Sequence, residues 1–384
     1  MPHISERYTD LPEATIGKLL KLAAEDKTVL SLGPGEPDFS APKPIVALTK
    51  KFADTCNHYS PTGGRTELKE ALVKKLKKDN NIKTNPDNII VTCGSQEALL
   101  LATACVCDVS EQVLVPNPSF LGYLPTFELF NAFPVPIQLK ANNNWDINPS
   151  ELKYYIDKKT KAIMINTPAN PTGNVLSKKI LEELADVARD NNLYIFSDEA
   201  YEKLVYDKKH VSVGSLNGME DYVVTFQTFS KTYAMCGYRV GYAVGPSLLI
   251  EAMRKSHIYT TLSAPTISQM VATKALTIDN KYIEVMRKEY DKRRKYLVKR
   301  LNAIGLPTIT PNGAFYTFSD ISAVHDQSFK FASDLLHEQK VAVVPGKEFG
   351  SYGEGYIRCS YATDLGIIKK AMDKMEKFVK KHQR

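Results

Sequence analysis

Through the middle of the chain, short apolar and β-branched runs alternate with stretches whose apolar residues recur at helical spacing. Runs 88–93, 112–115, 162–165, 193–196, 222–226 and 240–244 read as strands, and 96–106, 178–191 and 246–255 read as helices between them. This alternation predicts an α/β domain with a mainly parallel central sheet flanked by helices. Beyond about Asp279 the texture changes. A long charged amphipathic helix over 279–304 leads into Gly-Ala-Phe-Tyr-Thr-Phe at 313–318, Val-Ala-Val-Val-Pro at 341–345 and Gly-Tyr-Ile-Arg-Cys-Ser-Tyr at 355–361, and a basic helix closes the chain. These segments predict a smaller α+β domain joined by the N-terminal segment. The expected division is a large domain over 40–280 and a small one built from 1–39 and 281–384.

A chain of 384 residues, 43% of them hydrophobic, can bury a large core divided between about two domains. Lys and Arg number 50 against 43 Asp and Glu, a net charge of +7. The densest basic stretches, 74–78 and 293–300, alternate with apolar residues at helical spacing. They are expected to be solvated helix faces, with no nucleic-acid partner. The six cysteines form no Cys-x-x-Cys pair and no Cys/His cluster at zinc spacing. No run of about 18 apolar residues occurs, and segment 1–7 lacks the apolar core of a signal peptide. A cytoplasmic protein with reduced thiols, no metal and no membrane contact is expected.

Ligands of open parallel sheets sit beyond the carboxyl ends of the strands, so the residues that follow each run are the candidates. After 88–93 comes Gly94-Ser95-Gln96 at a helix start, a place for an anion or an ordinary cap. After 162–165 comes Asn-Thr-Pro-Ala-Asn-Pro-Thr-Gly, a turn that also sets the Asn170 amide at the sheet edge. Asp198 ends the next run, either as a helix cap or as a carboxylate that needs a positive partner. After 222–226 come Thr228, Ser230 and Lys231, with Arg239 eight residues further on. Ser177-Lys178 is a second Ser-Lys pair, which merely opens a helix, so the company of Lys231 is what singles it out.

Together these residue types fit pyridoxal 5′-phosphate (PLP). A lysine amine forms a Schiff base with an aldehyde, and the pyridine nitrogen needs a carboxylate to stay protonated. Lys231 and Asp198 supply these. Tyr201 and Asn170 offer hydrogen bonds to the phenolate oxygen. Ser95, Gln96, Thr228, Ser230 and Arg239 offer hydroxyls, helix-start N–H groups and a cation to the phosphate. Phe120 is placed either to cover the ring face or to fill the core.

At this point the sequence resembles the class I, fold type I PLP-dependent aminotransferases, in particular the archaeal aromatic and aspartate branch. The resemblance runs from Ser-Leu-Gly-Pro-Gly at 31–35 and Tyr-Ser-Pro-Thr-Gly-Gly at 59–64 through Asn-Pro-Thr-Gly at 170–173 and Ser-Asp-Glu-Ala-Tyr at 197–201. It continues through Ser230-Lys231 with Gly-Tyr-Arg-Val-Gly at 237–241, and on to Ile-Arg-Cys-Ser-Tyr-Ala at 357–362. It implies that Lys231 anchors the cofactor and then serves as the base at the substrate Cα. Asp198 would pair with the pyridinium, and Tyr201 and Asn170 would hold the phenolate oxygen, with Asn170 also meeting the substrate carboxylate. The phosphate would fall to Ser95, Gln96, Thr228, Ser230 and Arg239. Arg358 would grip the α-carboxylate and the Gly35 backbone would touch it. Tyr59 would reach the phosphate of a neighbouring subunit, implying a homodimer with shared sites.

The implied activity is amino transfer from an L-amino acid to a 2-oxo acid such as 2-oxoglutarate. Thr228 stands where the family has Ser or Gly and keeps the hydroxyl. Neutral Gln96 stands where some aspartate-using relatives carry lysine. With Tyr59, Phe120, Tyr123 and Tyr259 nearby, aromatic or broad donor specificity is expected, aspartate remaining open. A PLP-dependent lyase or synthase on the same fold is the alternative. A PLP-binding regulator would need a further N-terminal DNA-binding domain, for which motifs beginning near Ser31 leave no room. A dinucleotide oxidoreductase would need the third glycine of G-x-G-x-x-G, which Gly33-Pro-Gly35 lacks.

Overall fold

The computed structural model describes residues 2–9, 11, 17, 21 and 25–383. Its strands are β1 (Leu30–Ser31), β2 (Ile89–Thr92), β3 (Gln112–Asn117), β4 (Phe133–Gln138), β5 (Thr160–Asn166), β6 (Tyr194–Asp198), β7 (Val223–Thr228), β8 (Gly241–Val244), β9 (Tyr316–Asp320), β10 (Val341–Ala342), β11 (Val344–Pro345) and β12 (Tyr356–Ser360). Seven of them form the central sheet in the order β2-β8-β7-β6-β5-β3-β4. The neighbours from β7 to β4 pair in parallel, while β8 runs antiparallel to both β2 and β7. The expected mainly parallel sheet is therefore present, with one reversed strand.

Both faces of the sheet are covered, which explains why its strands read as continuous apolar runs rather than as alternating ones. Ile163, Ile165, Ile195 and Val223 pack with Leu181, Leu184 and Ala188 of helix Lys178–Asp190. Their sequence neighbours Ala162, Met164, Phe196 and Val224 point the other way. They pack with Leu101 of helix Ser95–Val106 and with Ile250 and Met253 of helix Ser247–Thr260. Strand β4 is absent from the sequence reading because Pro134 and Pro136 interrupt its pattern. It forms all the same because it lies at the sheet edge, where a missing N–H costs no ladder bond on the open side.

A second core packs helices Lys281–Ala303, Ser328–Gln339 and Leu365–His382 around the three-stranded sheet β11-β12-β9. The N-terminal segment joins this core through Leu32, and β1 pairs in parallel with β10.

The basic stretches match the sequence reading only in part: Lys74, Lys77, Lys78, Lys295 and Lys299 are exposed, but three cations turn inward. The Lys75 side chain is 9% exposed and ion-paired with Glu202. Arg293 and Arg294 are also buried, Arg293 against Asp38 and Glu289 and Arg294 against Asp207 and Asp291. Helical spacing does not reveal this, because a long cationic side chain on the inner face is tolerated once carboxylates from other segments meet it. The Arg293–Asp38 pair, at 2.8 Å, also ties the segment that follows Gly35 to helix Lys281–Ala303.

Candidate active site

The strand-end segments singled out in the sequence converge on one cavity of about 280 Å³ at the carboxyl edge of the central sheet. Strand β2 delivers Gly94, Ser95 and Gln96. Gly94 has φ +95°, and a Cβ there would lie 2.7 Å from Arg239 Nη2, so only glycine lets the guanidinium approach. The helix that begins at Ser95 has no side-chain cap, which leaves its first N–H groups free to face an anion. On β8, a Cβ at Gly241 would fall 2.6 Å from Ser95 N, so the same turn is packed tightly from behind. Arg239 donates to the Cys236 carbonyl at 2.9 Å and to the Cys93 carbonyl at 3.2 Å.

Strand β7 ends in Thr228, which caps the short helix Phe229–Thr232 by accepting the Ser230 N–H at 3.1 Å. That turn sets Ser230 and Lys231 at the cavity. Lys231 Nζ donates to the Gly35 carbonyl at 2.5 Å and stands 5.9 Å from the ring centres of Tyr201 and Phe315.

Strand β6 ends in Asp198. One carboxylate oxygen accepts the Tyr123 hydroxyl at 2.7 Å and the other accepts the Ala200 N–H at 3.1 Å. Burial pushes its carboxyl above the usual range, and the two hydrogen bonds together with the nearby Lys231 pull it back only in part. Tyr123 is itself held far above its ordinary range by burial and by the Asp198 charge, so it acts as a donor. A part-buried carboxylate with two neutral donors and, among the described residues, no cation bonded to it suits a positive partner from outside the chain.

At the end of β5, Asn166 donates to the Asp198 carbonyl at 3.1 Å and accepts the Asn170 N–H at 2.8 Å. Asn170 Oδ1 in turn accepts Arg358 Nη1 at 3.0 Å. Arg358, on β12, is 2% exposed and donates through Nη2 to the Gly33 carbonyl at 2.7 Å. Its guanidinium lies 4.3 Å over the Tyr316 ring and 4.9 Å over Phe349, while its Nε has no partner among the described residues. Burial lowers its pKa from the usual guanidinium value. The Tyr201 and Tyr316 hydroxyls meet at 2.8 Å.

Of the residues nominated from the sequence, Gly35, Ser95, Gln96, Phe120, Asn170, Asp198, Tyr201, Thr228, Ser230, Lys231, Arg239 and Arg358 line this cavity. Tyr59 does not; its ring is 83% exposed at the surface. The sequence reading assigned no role to Asn166 or Tyr316, and it counted Tyr123 only among the aromatic residues that favour aromatic donors. Tyr123 lies three residues beyond Phe120 and packs edge-on against it at 5.4 Å, a helical spacing that could have put both on the same site.

The family model for aminotransferase class I and II matches residues 27–375. The aspartate aminotransferase of Pyrococcus abyssi is 45% identical over 98% of this chain and 98% of its own. Aromatic-amino-acid aminotransferase 2 of Thermococcus litoralis is 42% identical over 98% of each. The crystal structure of the aromatic aminotransferase from Pyrococcus horikoshii has a TM-score of 0.90 and 43% identity, covering 95% of this chain and 99% of that one. The chain thus belongs to the class I and II aminotransferases and has their fold type I architecture. It is a PLP-dependent transaminase of amino acids. The cavity fits PLP on its own evidence, offering an amine, a carboxylate without a cationic partner, and a glycine-lined helix start beside an arginine. No described helix is long and apolar enough to cross a membrane.

Proposed function

We propose that Lys231 holds PLP covalently through its amine, Asp198 pairs with the pyridinium, and Tyr201 and Asn170 bond the phenolate oxygen. Ser95, Gln96, Thr228, Ser230 and Arg239 hold the phosphate, and Phe120 covers the ring. When bound, PLP supplies the electron sink for charge left on the substrate Cα. Arg358 and Asn170 orient the α-carboxylate, with the Gly35 backbone beside it. With substrate bound, the Lys231 amine would be the group that moves the proton at Cα. The observation that carries this reading is the convergence of Lys231, Asp198, Arg239 and Arg358, the charged residues lining the cavity among those described, on one space.

The donor follows from what else lines that space. Leu99, Phe120 and Leu121 are apolar, Tyr123 adds an aromatic ring, and the cations have been assigned, so among the described residues no lining cation is left to read a second carboxylate. This favours aromatic or broad donor specificity, with 2-oxoglutarate as acceptor, over an aspartate specialist. A panel of L-amino acids with 2-oxoglutarate should give the highest kcat/KM for aromatic donors, and preference for aspartate would reject the reading. Gln96→Lys should raise relative use of aspartate by roughly tenfold, about what one added charge-assisted hydrogen bond supplies.

Tyr123→Phe tests Asp198. Without that hydroxyl, burial acts with less opposition and the Asp198 carboxyl rises further. Because the pyridinium pairs with the ionised form, the acid side of the PLP-affinity profile should move to higher pH. Affinity at neutral pH should fall roughly tenfold. An unshifted profile would remove Tyr123 from the account.

The reading extends to a cytoplasmic homodimer with shared sites, its chains divided into domains 40–280 and 1–39 with 281–384. Supporting the dimer, Tyr59 and Tyr259 are 83% and 88% exposed, and Ile258 and Leu262 add apolar surface beside Tyr259.

A further inference from the structure

Helix Ser95–Val106 owes the order of its first turn to Glu97. Glu97 Oε2 accepts the Cys93 N–H at 2.5 Å, and Oε1 accepts the Thr261 hydroxyl. With Arg239 on the Cys93 carbonyl, residue 93 is held through both its backbone N–H and its C=O just before Ser95 and Gln96. Behind Glu97 stands His257, fully buried in the last turn of helix Ser247–Thr260. Its Nδ1 lies 2.8 Å from the Thr62 carbonyl, which only accepts, so Nδ1 carries a hydrogen. Its Nε2 lies 3.3 Å from Glu97 Oε2, in contact with the carboxylate though out of line for a hydrogen bond. Burial opposes the Glu97 charge, yet His257, the Thr261 hydroxyl and the Cys93 N–H outweigh it and hold the carboxyl at about 2.

Thr62 belongs to loop 58–64, which carries Tyr59. The same loop is tied to the segment after His257 by Thr266, whose hydroxyl donates to the His58 carbonyl at 2.7 Å and meets the Ser60 hydroxyl at 2.9 Å. One imidazole therefore touches both the carboxylate that orders turn 93–96 and the loop that presents Tyr59.

We propose that His257 is a positioning residue that couples the two cofactor sites of the dimer, joining the phosphate turn of its own site to the loop that serves the partner subunit's phosphate. The proposal rests on the shared-site reading given above. His257 in one subunit then governs cofactor retention in both: its own site through Glu97 and Cys93, its partner's through Thr62 and Tyr59.

The test uses hybrid dimers assembled from two differently tagged chains. One chain carries Lys231→Ala, with or without His257→Leu, and the other is unaltered, so that only the unaltered chain can hold PLP covalently. The readout is the rate at which that chain loses reducible, lysine-linked cofactor to an excess of an aldehyde trap. His257→Leu in the opposite chain should speed the loss roughly tenfold, the effect expected of losing one buried hydrogen bond and stranding its acceptor, the Thr62 carbonyl. Tyr59→Ala in the same position is the reference and should speed it at least as much. Acceleration by Tyr59→Ala but not by His257→Leu overturns the coupling and leaves the shared site standing. No acceleration by either overturns the shared-site reading and the proposal with it. His257→Gln, which keeps a donor for the Thr62 carbonyl, should give an intermediate rate. If the leucine chain fails to assemble, an unchanged rate with His257→Gln rejects the proposal.

Discussion

Lys231→Ala is expected to lower kcat by on the order of 10⁴-fold and to abolish the visible absorbance of lysine-linked cofactor. Two functions leave with one amine: the covalent anchor and the base at Cα, and base catalysis alone contributes about 10²- to 10⁴-fold. The fold should survive, because Lys231 ends in the cavity and its amine has the Gly35 carbonyl as its hydrogen-bond partner. PLP should still bind noncovalently through Arg239 and the Ser95 helix start, since neither depends on the lysine. An alanine variant that kept a borohydride-reducible band would remove Lys231 from the mechanism.

Arg358→Leu is expected to lower kcat/KM for every amino donor by roughly 10²- to 10³-fold while PLP stays bound. Each charge-assisted hydrogen bond to a carboxylate is worth about 1.5–3 kcal/mol, and the guanidinium fork offers two. The substitution also strands two acceptors, the Asn170 amide oxygen and the Gly33 carbonyl, so a fall in Tm should accompany the kinetic loss. Arg358→Lys separates the two effects. It keeps a charge without the planar fork and should recover part of the stability but little of the kcat/KM. Wild-type kinetics in Arg358→Leu would place the carboxylate elsewhere.

The sequence was most informative where physics leaves the fewest options. Strands covered on both faces must be apolar throughout, and those runs at β2, β3, β5, β6, β7 and β8 stood out, together with the polar residues at their ends. Edge strand β4 escaped because its prolines are permitted only by its position in the sheet, which no local pattern records. The direction of β8 was equally invisible, since an apolar strand reads the same whichever way its neighbours run. Buried charge was the largest error. Lys75, Arg293 and Arg294 carry their charge into the interior because Glu202, Asp38 and Asp207, far away in the chain, are there to meet it.

Within the site, residues that touch a ligand were legible because that ligand demands particular chemistry at strand ends. Residues that act on other residues were not. Tyr123 reads as one more aromatic until its hydroxyl is found 2.7 Å from Asp198. Asn166 is the last residue of β5 and reads as part of a turn, yet it links the Asp198 carbonyl to the Asn170 backbone. His257 lies on a helix with no motif around it, and only its two contacts distinguish it from core.

The central claim is that the amine of Lys231 bonds covalently to PLP beside Asp198. The most direct measurement is borohydride reduction of the PLP-loaded wild-type protein, followed by digestion and mass spectrometry of the labelled peptide. A single modified lysine at position 231 is the expected result. Label on another lysine, or no label at all, contradicts the account.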